Sequence, residues 1–277
     1  MTKRPIIAIC YDVDKTLSPK GGMQENNFFK LLNLTAEQFY KIVDGIADEN
    51  SMERSSAYMY CMLKEAKKHG IVPTKDVIVE DGKKAEFYNG VETWFKRIND
   101  YAKNAGVIVE HYIISANIKE VLDNMPISHE FKRIYASSFV YDENNIAIWP
   151  AQVVNYTYKT QFLYRIKKGI LDENDSSINN RSSKKRIPFD NMIYIGDSFT
   201  DIPCMAITAE NGGYAIGVYD DPNKINRVKQ LMKDKRIQYF ALADYSENSK
   251  IEKIVKNIID KIKASSNLQD IARNQFN

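Results

Sequence analysis

Two aspartates stand two residues apart where an apolar run ends: Ile6-Ile7-Ala8-Ile9-Cys10-Tyr11 leads into Asp12-Val13-Asp14-Lys15-Thr16-Leu17. The run reads as a strand buried on both faces, so Asp12 falls at a strand's carboxyl end. Carboxylates this close repel each other unless a cation lies between them or one keeps a proton for a purpose. Other apolar runs also end in polar residues. Ser115 and Asn117 follow the run 107–114, and Gly196, Asp197 and Ser198 follow the run 192–195, with Asp201 one helical turn on. Lys159 starts a helical pattern.

That collection has a specific chemistry. Carboxylates at 12 and 197 can share a hard cation, and Mg²⁺ takes one or two carboxylates together with waters and phosphate oxygens. Ser115 and Lys159 can bind the remaining oxygens of a phosphoryl group, lysine being a point-charge partner for phosphate. There remain an attack on phosphorus and a proton for the leaving oxygen. A carboxylate can attack, giving an aspartyl-phosphate. A second acid two residues on can protonate the leaving alcohol and then activate water.

The elements that must position these residues are legible in outline. Apolar runs of strand length lie at 6–11, 107–114, 192–195, 214–218 and 239–242. Helical patterns at 91–105, 160–170 and 251–262 separate them, the first ending at Gly106. Continuous apolar strands alternating with helices predict an α/β fold, a doubly wound parallel sheet covered on both faces. Ligands of such sheets bind beyond the carboxyl ends of the strands, where the polar residues collect.

Residues 18–86 break the alternation and are too many for a loop. Their patterns, at 28–32, 36–46 and 54–68, are mostly helical, and Thr35 with Gln38 forms a capping-box signature. The expected organisation is a core of residues 1–17 and 87–277 and a helical cap of residues 18–86. A small β-hairpin insertion is expected near 134–156, where the apolar runs 139–141 and 146–148 flank Asp142-Glu143-Asn144-Asn145. The stretch 172–186 is polar and reads as a loop.

Composition excludes several function classes. The chain has 277 residues, a net charge of +3, three scattered cysteines and three isolated histidines. That balance calls for neither nucleic acid nor a membrane as partner. The cluster Lys184-Lys185-Arg186 reads as solvated loop. Without CxxC or paired histidines, a zinc site and a histidine-based triad have no support. No run is long and apolar enough to span a bilayer, and no secretory leader is evident, so a cytoplasmic protein is expected. Oligomeric state leaves no mark.

On these residues the chain resembles the haloacid dehalogenase-like (HAD) hydrolase superfamily, and within it the phosphoserine phosphatase-like enzymes with a helical cap in the first insertion site. The matching pieces are residues 12–17, Ile113-Ile114-Ser115, Lys159, and Tyr194-Ile195-Gly196-Asp197-Ser198-Phe199-Thr200-Asp201. The resemblance implies Asp12 as nucleophile and Asp14 as general acid and base. It implies a Mg²⁺ cofactor held by Asp12, the backbone carbonyl of Asp14, Asp197 and Asp201. Thr16, Ser115, Asn117 and Lys159 are the phosphate-binding candidates. Asp14-Lys15-Thr16 also matches the phosphorylated tripeptide of P-type pumps, but Asp14 as nucleophile would leave Thr16 where an acid is needed. The implied function is hydrolysis of a small phosphorylated metabolite. A phosphotransferase or mutase, and a binding module that keeps the site, are the alternatives. In the cap, Phe28, Phe29, Phe39, Tyr40, Tyr58 and Tyr60 read as its core, and Gly21-Gly22 and Asn89-Gly90 as its hinges. Glu25 and Arg54 could read a charged substrate.

Overall fold

The computed structural model describes residues 4–19, 21–181 and 185–275, which leaves Lys184 outside the described residues. One seven-stranded sheet organises the chain. Its strands are β1 (Ile6–Tyr11), β2 (Ile108–Ile118), β3 (Phe131–Tyr141), β4 (Ala147–Gln152), β5 (Met192–Gly196), β6 (Tyr214–Tyr219) and β7 (Tyr239–Leu242). The order across the sheet is β4-β3-β2-β1-β5-β6-β7. Every neighbouring pair is parallel except β3 with β4.

The α/β class and the doubly wound sheet expected from the strand pattern are therefore present. The order reverses beside β1: the chain builds outward through β2 to β4 on one side and through β5 to β7 on the other. Such a reversal opens a crevice at the strand ends. Tyr11 pairs with Ile195 in register, so Asp12 and Gly196 are the next residues along the two strands.

Helices are α1 (Phe28–Leu31), α2 (Ala36–Asn50), α3 (Arg54–Lys68), α4 (Lys75–Lys83), α5 (Val91–Asn104), α6 (Lys119–Leu122), α7 (Tyr156–Lys168), α8 (Ile202–Glu210), α9 (Ile225–Lys233) and α10 (Lys250–Asn274). Side chains alternate along β1. Ile7, Ile9 and Tyr11 join Trp94 and Phe95 of α5 and Val255 and Ile259 of α10 in one apolar layer. Ala8 and Cys10 join Phe162 of α7, Met205 of α8 and Val228 of α9 in the other. Both faces of β1 are dry, as its unbroken apolar run requires.

Two expectations change. The hairpin near 134–156 forms, but it is the edge of the main sheet and not an added unit: β3 pairs with β2, and β4 closes back on β3. The apolar run that marked the second strand stopped at 114, yet β2 continues to Ile118 and carries Ser115 and Asn117 within it. The helices α4, α6, α8 and α9 add to the patterns read from the sequence, and α9 places Ile225, Val228 and Leu231 at helical spacing. The described residues of the polar stretch 172–186 are irregular apart from one turn at Ser176–Asn179.

Within 18–86, a single turn at Met23–Glu25 precedes α1 to α4. The capping box forms as expected: Thr35 Oγ1 accepts from Gln38 N at 3.2 Å and Gln38 Oε1 accepts from Thr35 N at 2.8 Å. This segment is fastened to the sheet domain at several points. Gly82 of α4 lies so close to α6 that a Cβ there would sit 2.0 Å from the Val121 carbonyl oxygen. Lys75 N donates to Asn145 O and Ala147 N to Pro73 O, both at 2.9 Å. The Asn89-Gly90 hinge is a packed crossing: Tyr245 N donates to Asn89 O at 2.8 Å, and a Cβ on Gly90 would meet Ser246 N at 2.4 Å. Gly90 also needs its positive φ of 79°, which a side chain disfavours.

Candidate active site

Asp12, Asp14, Ser115, Asn117 and Asp197 line one cavity of about 350 Å³ at the strand ends. Asp12 continues β1 by one residue: its N–H donates to Ile195 O at 3.0 Å, the last rung that ties β1 to β5. Its side chain is 5% exposed. Lys159, fully buried in the first turn of α7, places Nζ 3.3 Å from Asp12 Oδ1 and 2.8 Å from Asp201 Oδ1. A buried ammonium is costly unless paired. Here burial alone would lower its pKa, but Asp12 and Asp201 outweigh burial and hold the proton on.

Asp201 has no acceptor position left open. Oδ1 takes Lys159 Nζ and the Tyr194 hydroxyl at 2.8 Å each, and Oδ2 takes Ser198 N at 3.1 Å and Ser198 Oγ at 2.9 Å. A carboxylate offers about four lone-pair sites, and protein donors fill all of them. Burial pushes its pKa up, yet Lys159, Tyr194 and Ser198 prevail and hold it below the usual carboxylate value. Gly196 permits this approach, since a Cβ there would lie 2.6 Å from Asp201 Cγ.

The other carboxyls show the opposite shift. Burial first, and then the Asp201 charge, lift Asp12 to about 6 against the pull of Lys159. Burial, Asp201 and Asp12 lift Asp197 to about 8. Burial and Asp12 raise Asp14 well above its ordinary value. Carboxylate oxygens of Asp12, Asp197 and Asp201 lie within 4.8 Å of one another. This is a cluster of hard oxygen donors with more negative charge than Lys159 neutralises.

The phosphate-binding candidates divide. Ser115 accepts from Asn117 N at 3.2 Å, and its hydroxyl lies near enough to Asp12 to lower that carboxyl's pKa. Lys159 stands on Asp12 as described. Asn117 directs Nδ2 at both carboxylate oxygens of Asp14, 3.0 Å from each. Thr16 is fully buried with a hydroxyl that has no partner among the described residues, and it is not among the residues lining the cavity. Its backbone carbonyl instead accepts from the Tyr245 hydroxyl at 2.9 Å.

Residues 18–86 add walls that the motifs do not contain. Gln24, Tyr40, Asp44, Arg54 and Tyr58 line the same cavity. Tyr40 and Tyr58 therefore do more than fill a helical core, whereas Phe28, Phe29 and Phe39 are fully buried and Tyr60 is exposed. Arg54 pairs with Asp44 at 3.3 Å. Glu25 does not line the cavity; its Oε1 accepts from Gly21 N at 3.2 Å. Gln24 carries no sequence signal, Tyr58 reads as cap core and Tyr194 as part of a buried strand, because buried polar groups in helical or apolar stretches look like ordinary core.

No family model matches the chain. It is 25% identical over 276 residues to an uncharacterized protein of Borreliella burgdorferi, a match that covers 89% of this chain and 94% of that protein. In structure it is similar to a phosphoserine phosphatase solved as a phospho-aspartyl intermediate analogue, with a TM-score of 0.58, 15% identity, and 92% and 99% of the two chains covered. It is also similar to a HAD family hydrolase from Salmonella enterica serovar Typhi, with a TM-score of 0.55 and 17% identity over 80% of this chain. This chain spans 64% of the length of that hydrolase. The fold is HAD-like and phosphoserine phosphatase-like, as the motifs implied.

Proposed function

We propose that this protein is a Mg²⁺-dependent phosphomonoester hydrolase that works through a phospho-Asp12 intermediate. One observation carries the reading. Asp12, Asp14, Ser115 and Asp197 open into one cavity, and Lys159 lies against Asp12 from behind. The solved relatives of this fold include HAD hydrolases and phosphoserine phosphatases.

The donor set fits a hard cation. It is all oxygen, and Asp12 and Asp197 are raised by burial first and then by neighbouring carboxylates, a cost that a cation would relieve. Asp12, Asp197 and the Asp14 carbonyl would hold the ion. Asp201, its acceptor positions filled, would hold Lys159 and Ser198 in place. Bound there, Mg²⁺ would offset the negative charge on the phosphoryl oxygens.

The protein's own groups supply the rest. Asp12 attacks phosphorus and the ester oxygen leaves, taking a proton from Asp14. Lys159 and Ser115 bind the transferred oxygens. Asp14 then takes a proton from water, which attacks phosphorus and returns Asp12 with inorganic phosphate. The cavity of about 350 Å³, walled on one side by residues 21–58, suits a small leaving group. Groups fixed in place before the substrate binds need no reorganisation at the moment of reaction.

The test is a screen of small phosphate esters with Mg²⁺ present, read as inorganic phosphate released. Turnover that is lost in Asp12→Asn is expected. No release from any ester, p-nitrophenyl phosphate included, would sink the reading. Transfer to an added alcohol without phosphate release would replace hydrolysis by phosphotransfer.

A further inference from the structure

We infer that Asn117 and Gln24 are positioning residues for Asp14, so that residues 18–86 set the aim of the proton donor. This rests on the acid role proposed for Asp14. Asn117 belongs to β2, while Gln24 lies in the turn Met23–Glu25 and Tyr58 in α3. Their side chains form one directed chain. The Tyr58 hydroxyl donates to Gln24 Oε1 at 2.8 Å, Gln24 Nε2 donates to Asn117 Oδ1 at 2.9 Å, and Asn117 Nδ2 donates to both oxygens of Asp14.

Each link fixes the next. Asn117 Oδ1 also accepts from Ile118 N at 2.6 Å. That contact shows which end of the amide is oxygen, and the second donor on the same oxygen, from Gln24, holds Nδ2 on Asp14. With its oxygen committed there, Asn117 needs a donor from Gln24, so Gln24 must present nitrogen to Asn117 and oxygen to Tyr58. The Tyr58 ring is itself held against Phe39 at 5.4 Å and Tyr40 at 5.8 Å. Gln24 is 1% and Asn117 6% exposed, so water does not substitute for either partner.

The contact on Asp14 has two points, which fixes the plane of its carboxyl and not only its distance. One acceptor position on each oxygen is used, and the others remain for the cavity that Asp14 lines. Proton transfer needs heavy atoms within about 2.6–3.2 Å, and small misplacements of a catalytic group are costly. A shift of residues 18–86 against the sheet pulls on Gln24 first, then on Asn117, then on the acid. A purely structural role for the two buried amides would predict something different: loss of stability and an equal loss on every substrate.

The experiment compares two esters at saturating Mg²⁺. Gln24→Met keeps the length and shape but cannot donate. Its kcat/KM for glycerol 2-phosphate, whose alkoxide needs a proton, should fall about tenfold or more. For p-nitrophenyl phosphate, whose leaving group does not, the fall should stay under about threefold. Tyr58→Phe removes only the far end and should give the same split on a smaller scale; it serves alone if Gln24→Met does not fold. Equal losses on both esters, or none, overturn the inference. A crystal structure of either variant decides it without activity: the two-point contact of Asn117 on Asp14 should be lost, and its survival overturns the inference. A parent protein that releases phosphate from no ester of the screen would instead overturn the phosphatase reading.

Discussion

The ends of the sheet strands and the helices of residues 21–58 wall the same cavity, but different forces place their side chains. On the sheet side each functional group except Lys159, which stands on α7, lies within a few residues of a strand. Asp12 is tied by its own N–H to Ile195, and Gly196 lets Asp201 close on Lys159. Backbone ladders hold these groups, and a ladder tolerates little shift. On the helical side no strand contributes. Gln24, Tyr58 and Arg54 stand where they do because α4 packs on the sheet domain through Gly82 and residues 73–75, and Asp81 of α4 holds the start of α1 by accepting from Asn27 N. The difference teaches what each side brings to the cavity: the charged cluster sits on the rigid rim, and the groups that would meet a leaving group in the proposed reaction sit on the docked helices.

The contrast is broken most severely at the nucleophile. Asp12→Asn should lose at least about a thousandfold in turnover with the fold intact, since an amide is a poor nucleophile. Activity within tenfold of the parent would remove Asp12 from the reaction. Asp14→Asn should cost about a hundredfold on alkyl phosphates and much less on p-nitrophenyl phosphate. Equal losses on the two would take Asp14 out of the acid role.

Two glycines sharpen the contrast. Gly196→Ala puts a methyl 2.6 Å from Asp201 Cγ, so it should displace the partner of Lys159 and cut turnover at least about tenfold. Gly82→Ala puts a methyl 2.0 Å from a backbone oxygen that has little freedom to move. It should destabilise the protein by about 2–3 kcal/mol in a denaturant titration. If Gly82→Ala instead spared stability, the docking of α4 on α6 would be looser than described.

The smallest effect is a pH dependence confined to the rim. Asp12 at about 6 and Asp197 at about 8 lie above the ordinary carboxyl value. Between about pH 4 and pH 8 the folded, metal-free protein then binds more protons than the unfolded chain, so its stability should fall as pH rises through that window. Mg²⁺ should flatten the trend by compensating the carboxylates. A Tm drop on the order of 5 °C from pH 5 to pH 8, absent with Mg²⁺, is expected by thermal scanning. A Tm that rises with pH in the metal-free protein would contradict the charge imbalance. Buried His111 works in the opposite sense. Burial holds its pKa near 3, so its contribution is present above about pH 6.5 and lost as pH falls toward 3.

Much of this was legible in the sequence, for a physical reason. A parallel strand buried on both faces must be apolar throughout, so its end is marked by the first polar residue, and Asp12 and Asp197 are read directly. Order and spacing along such strands also give the crevice in which those residues meet. By itself the sequence therefore determined the sheet class, the rim and its acidic cluster, and the helical nature of residues 18–86. Only the tertiary structure decided the rest. It made the 134–156 hairpin an edge of the sheet, carried β2 through Ser115 and Asn117, and turned Asn117 from phosphate toward Asp14. It filled Asp201 with protein donors, left Thr16 outside the cavity, and brought Gln24 and Tyr58 to the acid. These outcomes depend on which end of an amide faces which neighbour and on how two packed surfaces seat. Local pattern carries no record of contacts between residues as far apart as Gln24 and Asn117, and only the folded chain brings them together.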